Sequence, residues 1–439
     1  MVVATLLLAS GLAAAIPGPD FDRPDRWFDD HVYHHYADLT TELQQLESDH
    51  PRYVSLTSIG TSVQGRSLWT VRVTDPSVPA ADKLNVYIDG EHHGNEQLGG
   101  ELCILLLHHL LEDSTDPMVQ EMLRGFVIWV TPMINPDGNT RDQRSNANGI
   151  DINRNYPFAF VPGGSHGDSP ASEPEVQANI GFMGSVDLDL YVTMHTGIVR
   201  LLHPWGWTYD PAPDRSMFEN LSWIADDHGI TYGQGSTVLY IAEGTSEDYG
   251  YGALGVPSFT FEVDDQQTRM ISTREDIASR LSDELALLVD LILATPTMRA
   301  DLNATGTGHR QVEGGVDVSV DLENVGLSAA NNTTVTVEAW DGAAVVATAS
   351  ITLDIPAGNA ITAKVRVPLD EGDYELRTIL EYPKRLEENS TSERVVLDRM
   401  DVQVSSPLLG GAGGWGMGLL LLVVALGVAV LYWAHRKGW

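Results

Sequence analysis

The sequence predicts an α/β domain built on an open, mixed and mostly parallel sheet with helices on both faces, followed by a small all-β sandwich and one C-terminal transmembrane helix. Three observations carry this. The strand-like runs LNVYI (84–88), FVIWVTPM (126–133), LYVTM (190–194) and SFTFEV (258–263) alternate with helical patterns, the clearest at Leu102–Leu111 and Ile277–Ile292. Near-continuous apolar runs belong to strands covered on both faces. After about Thr297 the texture changes to short alternating runs, VDVSVDL, TTVTVEAW, ITAKVRV and YELRTILEY, punctuated by Gly, Asn and Pro, which is the pattern of a sandwich. From about Leu408 to Trp433 the chain carries no charge, a stretch long enough to cross a bilayer as a helix.

Taken in chain order, the first residues, MVVATLLLASGLAAAIP, form an apolar run ending in small residues. The run is too short to span a membrane and reads as a secretory signal over 1–16, although a basic leading segment is missing. Tyr36, Leu39, Leu43 and Leu46 follow helical spacing and open an α/β unit expected over 30–296. The sandwich is expected over 298–402, a Gly-rich linker over 403–414, the membrane span over 415–433 and a short tail over 434–439. Tyr432 and Trp433 suit an interfacial belt. His435, Arg436 and Lys437 place the tail in the cytoplasm and everything before the span outside the cell membrane. Asn220, Asn303, Asn331, Asn332 and Asn389 head Asn-x-Ser/Thr triplets, acceptor sites for glycans on an exported chain.

Composition narrows the partners. The chain has 61 Asp and Glu against 26 Lys and Arg, a formal charge of -35, and such a field excludes nucleic acid as a natural partner. Only Lys83, Lys364, Lys384 and Lys437 are lysines. Few lysines, many carboxylates and a hydrophobic content of 43% describe a folded protein with a solvated acidic surface, suited to a salt-rich habitat that screens self-repulsion. Cys103 is the single cysteine, so no intramolecular disulfide or thiolate cage can form, and any bound metal must use His and carboxylate.

The chemistry concentrates in Asp89-Gly90-Glu91-His92-His93-Gly94-Asn95-Glu96, which follows strand LNVYI and precedes the helix containing Leu102. A His and a Glu three apart on a strand-to-helix turn can reach one cation, and composition alone leaves His92 and His93 equally eligible. His195 ends strand LYVTM and so lies at the carboxyl edge of the sheet, where α/β proteins place their sites. Between these segments stand Asn135-Pro136-Asp137-Gly138 and the run Arg144-Ser145-Asn146-Ala147-Asn148-Gly149-Ile150-Asp151-Ile152-Asn153-Arg154-Asn155.

The ordered set H-x-x-E, N-P-D-G, R-x-N-x-x-G-x-D-x-N-R-N, a strand-terminal His and a late F-E resembles the zinc carboxypeptidase family typified by pancreatic carboxypeptidases A and B, over about 30–296. The resemblance implies that His93, Glu96 and His195 hold one catalytic zinc ion and leave a position for water. It implies that Glu262 is the general base for that water, and that Arg144 stabilises the developing oxyanion. Asn153 and Arg154 match the pair that grips the substrate's terminal carboxylate. Tyr240, 22 residues before Glu262, matches the tyrosine that closes over substrate. Glu247, 15 residues before Glu262, falls at the position that sets the floor of the side-chain pocket, where an acidic residue selects basic C-terminal residues. Asp248 is expected to be structural, and Asn135, Asp137 and Gly138 to be turn and scaffold residues.

The activity implied is that of a membrane-anchored extracellular zinc metallocarboxypeptidase acting on peptide or protein C-termini. Two rivals were weighed: a related zinc amidase acting on cell-envelope peptides or acyl amino acids, and a catalytically silent surface-binding protein on the same scaffold. The β-rich region, with ENVG at 323–326 and EGDYEL at 371–376, is similar to the adhesion-type immunoglobulin-like modules of prokaryotic surface proteins. That similarity leaves the module's partner unknown.

Overall fold

The structure, a computed structural model, describes residues 33–112, 115–264, 274–383 and 392–404. The predicted signal segment 1–16, the membrane span 415–433, the tail 434–439 and most of the linker 403–414 lie outside these residues. No helix among the described residues is long and apolar enough to cross a membrane.

The α/β unit begins with helix α1 (Tyr36–Asp49), whose Leu39, Leu43 and Leu46 are buried at helical spacing. It continues through β1 (Val54–Thr61), β2 (Ser67–Val73), β3 (Leu84–Gly90), α2 (Gln97–Glu112), α3 (Pro117–Gly125), β4 (Phe126–Thr131) and the one-turn α4 (Pro136–Asn139). Then come α5 (Pro174–Ser185), β5 (Leu190–His195), β6 (Arg200–His203), α6 (Arg215–Asn220), α7 (Ser222–Asp227) and β7 (Thr231–Gln234). The unit closes with α8 (Gly235–Val238), α9 (Ser246–Leu254), β8 (Ser258–Glu262) and α10 (Arg274–Ala294).

The strands form one mixed sheet in the order β1-β2-β4-β3-β5-β8-β6-β7. The four strands legible as apolar runs are its adjacent centre, β4-β3-β5-β8, and these pair in parallel. β1 and β2 pair antiparallel and attach antiparallel to β4, and β6 runs antiparallel to β8. Period-two alternation sorts the central side chains. Val86, Ile88, Val192 and Met194 join the main core with Leu102, Leu106, Leu285 and Leu288 of α2 and α10, while Tyr87 and Tyr191 pack on the other face with Met183 of α5. Helices therefore cover both faces, as expected.

Close backbone contacts fix the loop after β3. A Cβ on Gly94 would lie 2.1 Å from the Gly138 carbonyl carbon and the Asn139 nitrogen, so this loop is pressed on the Asn135-Pro136-Asp137-Gly138 turn. Asn135 caps that turn by accepting from the Gly138 N–H at 2.8 Å and donates to the carbonyls of His92 and Arg144. Asp137 accepts from Ser62 Oγ, the Gln64 N–H and Arg66 Nη1, tying the β1–β2 hairpin to the same turn. These residues are scaffold, as their sequence context indicated.

The C-terminal region is all β. β9 (Leu302–Val312), β10 (Gly315–Asn324) and β13 (Ala360–Pro368) form one antiparallel sheet, and β11 (Ala330–Asp341), β12 (Ala344–Ile355), β14 (Gly372–Pro383) and β15 (Ser392–Val404) form another. Their inward residues share one core that includes Val318, Val320, Val335, Val337, Val365 and Leu380. Arg299 joins this region to the α/β unit through a 3.0 Å ion pair from Nη1 to Asp189.

Candidate metal centre and substrate pocket

β3, β5 and β8 are neighbours, and their carboxyl ends deliver the central side chains. His195 is the last residue of β5 and pairs in register with Glu262, the last of β8. His93 and Glu96 come from the loop between β3 and α2. That loop begins with Glu91 in the left-handed region at φ 52°, a conformation costly for a non-glycine residue and held here by the 2.9 Å bond from Asn139 Nδ2 to its carboxylate.

His93, Glu96 and His195 each offer one ligand atom, all within 4.8 Å of one another. Nδ1 of His93 lies 2.9 Å from one oxygen of Glu96, Nδ1 of His195 lies 2.9 Å from the other, and the two Nδ1 atoms are 3.2 Å apart. Two imidazole nitrogens and a carboxylate converging at this range need a cation between them, and two His with one Glu is a donor set that zinc accepts. The remaining ring nitrogens are occupied elsewhere: Nε2 of His93 bonds Asp151 at 2.9 Å, and Nε2 of His195 contacts Asn153 Nδ2 at 3.1 Å. These outer bonds orient both rings with Nδ1 inward.

His92 is resolved by the same geometry. Its ring is fully buried, with Nε2 2.8 Å from the Tyr156 hydroxyl and Nδ1 3.2 Å from Thr193 Oγ1, so it belongs to the polar network beneath the sheet edge. That network also contains Asp89, which accepts from Asn179 Nδ2 and the Tyr191 hydroxyl. Burial, opposed by these hydrogen bonds, pushes the Asp89 carboxyl up to about 7.

A cavity of about 350 Å³ opens beside the triad, and its lining brings together His93, Glu96, His195, Arg144, Asn153, Arg154, Tyr240, Glu247 and Glu262. Every residue singled out in the sequence therefore reaches one site. Arg144 donates from Nη1 to Glu96 at 3.1 Å and from Nε to Asp151 at 2.9 Å. Asn153 accepts the Ser246 N–H at 2.9 Å, and Arg154 bonds the Asn153 carbonyl at 2.8 Å through Nη1. Nη2 of Arg154 lies 3.4 Å from the hydroxyl of Tyr240, a side chain 51% exposed at the cavity mouth.

The acids divide by environment. Burial and then the negative charge of Glu96 push Glu262 up to about 8, against the pull of His93, Arg144 and Arg154. Burial alone would raise Asp151, yet the charge of His93, their hydrogen bond and the charge of Arg144 hold it far below the usual carboxylate range. Glu247 is 4% exposed and pushed well up by burial and by neighbouring Asp248. Asp248 itself accepts the backbone N–H groups of Gly206 and Trp207 at 3.0 Å each, a structural role. Two contributors were not singled out in the sequence. Asp151 stood inside the quoted motif without a role, and Thr260 shares a strand face with Glu262 by its i, i+2 spacing.

Residues 39–286 match the profile of the family described as zinc carboxypeptidase. A zinc carboxypeptidase of Saccharothrix mutabilis subsp. capreolus is 29% identical over 268 residues, covering 53% of this chain and 62% of that protein. Carboxypeptidase A6 of Mus musculus is 30% identical over 268 residues, covering 53% of this chain and 60% of that protein. The chain thus spans about three-fifths of the length of these relatives. The crystal structure of carboxypeptidase A from Helicoverpa armigera superposes with a TM-score of 0.54 at 20% identity, covering 63% of this chain and 78% of that one, a likeness of fold.

Proposed function

The chain belongs to the zinc carboxypeptidase family, and from that premise we propose that it is a zinc-dependent metallocarboxypeptidase that removes the C-terminal residue of peptides. The observation that carries this reading is the convergence of His93, Glu96 and His195 on one wall of a cavity whose other walls hold Glu262, Arg144 and Arg154.

Zinc, when bound by the triad, supplies Lewis acidity and eases deprotonation of water. The remaining steps belong to the side chains. Arg154 and Asn153 bind the substrate's terminal carboxylate; a guanidinium suits that planar anion, and anchoring the chain end confines cleavage to the last peptide bond. Glu262 accepts the proton of the attacking water and passes it to the leaving amine. A carboxyl raised to about 8 holds a proton near neutrality, which suits that transfer. Arg144 places positive charge where the scissile carbonyl oxygen becomes anionic. Tyr240, exposed at the mouth, closes over the bound terminus. Glu247 forms the pocket floor for a basic terminal side chain, because a buried carboxylate is best compensated by a cation.

The location follows from the sequence: an exported ectodomain of 30–296 and 298–402, anchored by 415–433, with the immunoglobulin-like module as a spacer and the acidic surface as an adaptation to salt. The function is tested with a peptide bearing a free C-terminus and its C-terminal amide. Cleavage of the first alone, abolished by chelator and restored by zinc, supports the reading, and equal cleavage of both contradicts it.

A further inference from the structure

Thr260 donates its hydroxyl to Oε2 of Glu247 at 2.7 Å, and both residues line the cavity. The other oxygen, Oε1, is buried without a hydrogen-bond partner among the described residues. Asp248, next in sequence, adds no acceptor to the floor: its two oxygens are taken by the Gly206 and Trp207 N–H groups, and it is absent from the lining. The floor therefore presents a cationic side chain with one free carboxylate oxygen.

That count separates the two basic side chains. A guanidinium is a planar fork that gains most when both of its parallel N–H groups meet the two oxygens of one carboxylate. An ammonium is a compact charge with rotatable donors that is satisfied by single acceptors. The Thr260 oxygen keeps a lone pair after donating its hydrogen and can serve as one of them. We infer that the pocket selects substrates ending in lysine over those ending in arginine, and that Thr260 sets this preference by occupying one oxygen of Glu247. The inference rests on the proposed role of Glu247 as the floor for basic residues. Burial, which favours the neutral acid in the empty pocket, adds weight to a partner that brings its charge as a point.

The test compares kcat/KM for three peptides differing only in a C-terminal Lys, Arg or Phe, on the zinc-loaded wild type, Thr260→Val and Glu247→Gln. The expected wild-type order is Lys above Arg by about tenfold, one charge-assisted hydrogen bond's worth, with Phe last. Thr260→Val, which frees Oε2 with little change of volume, should bring the Lys-to-Arg ratio near one, and Glu247→Gln should remove the advantage of both over Phe. Arg equal to or above Lys in the wild type, with both above Phe, overturns the inference and leaves the basic floor standing. Phe above both overturns the floor itself. A Lys preference that survives unchanged in Thr260→Val removes Thr260 as its cause and overturns the inference. Because the wild-type order alone can contradict it, a variant that fails to fold does not shield it.

Discussion

Asp151 holds His93 by a 2.9 Å bond from one carboxylate oxygen to Nε2, while its other oxygen takes Nε of Arg144 at 2.9 Å. One side chain thus sets the ring orientation of a candidate metal ligand and the position of the cation proposed to meet the oxyanion. Asp151→Asn keeps the shape but loses the charge that both partners use. Zinc affinity, measured by competition with a chelating dye, should fall by about ten- to a hundredfold. Unchanged affinity would mean that the bond is incidental.

Arg154→Lys should raise KM for free-carboxylate peptides by at least about tenfold, because an ammonium cannot grip a carboxylate through two parallel N–H groups. Tyr240→Phe should cost far less, since Tyr240 is proposed to close over the substrate and carries no covalent step. Steady-state kinetics on one peptide series checks both. An Arg154→Lys enzyme with wild-type KM would remove Arg154 from the carboxylate site.

The zinc-free protein should lose thermal stability as pH rises. Burial lifts Asp89 and Asp248 from the ordinary 3.8 to about 7 in the folded chain, so between these values the folded state holds protons that the unfolded state has released. Stability then falls with increasing pH through this window and levels off above it. Glu247 and Glu262 are also raised and act in the same direction. In chelator at fixed salt, Tm should drop by several degrees from pH 5 to pH 8, and Asp89→Asn should reduce the drop. An identical pH dependence in that variant would contradict the assignment.

A formal charge of -35 should make folding salt-dependent, since unscreened carboxylates repel one another. Tm should rise between dilute buffer and molar KCl. A flat response would remove the proposal of a salt-adapted surface.

How much of this was legible depended on what each residue faces. The central strands β4, β3, β5 and β8 are buried on both faces, so LNVYI and its counterparts stood out as apolar runs. β1 and β7 lie at the sheet edges and carry polar or exposed residues, as in VSLTSIGT and TYGQ, which broke the signal. β12 of the C-terminal region, AVVATASITLDI, is exposed along most of its length and lacked the alternation that marked VDVSVDL. The site residues were legible because ligands and partners sit at fixed spacings near strand ends. The choice of His93 over His92 was not, because it depends on which ring the Asp151 bond turns toward Glu96. Thr260 was hidden for a similar reason: a threonine in a strand is ordinary until the carboxylate it bonds, 13 residues earlier, is known to face the cavity.

The measurement that bears most directly on the central claim is turnover by Glu262→Gln with its zinc content determined on the same sample. Glu262 lies opposite the triad and outside it, so the variant should bind zinc as the wild type does while kcat falls by about a thousandfold, the loss expected when a positioned general base is removed. A zinc-loaded Glu262→Gln protein that cleaves peptides at near wild-type rate would contradict the proposed chemistry.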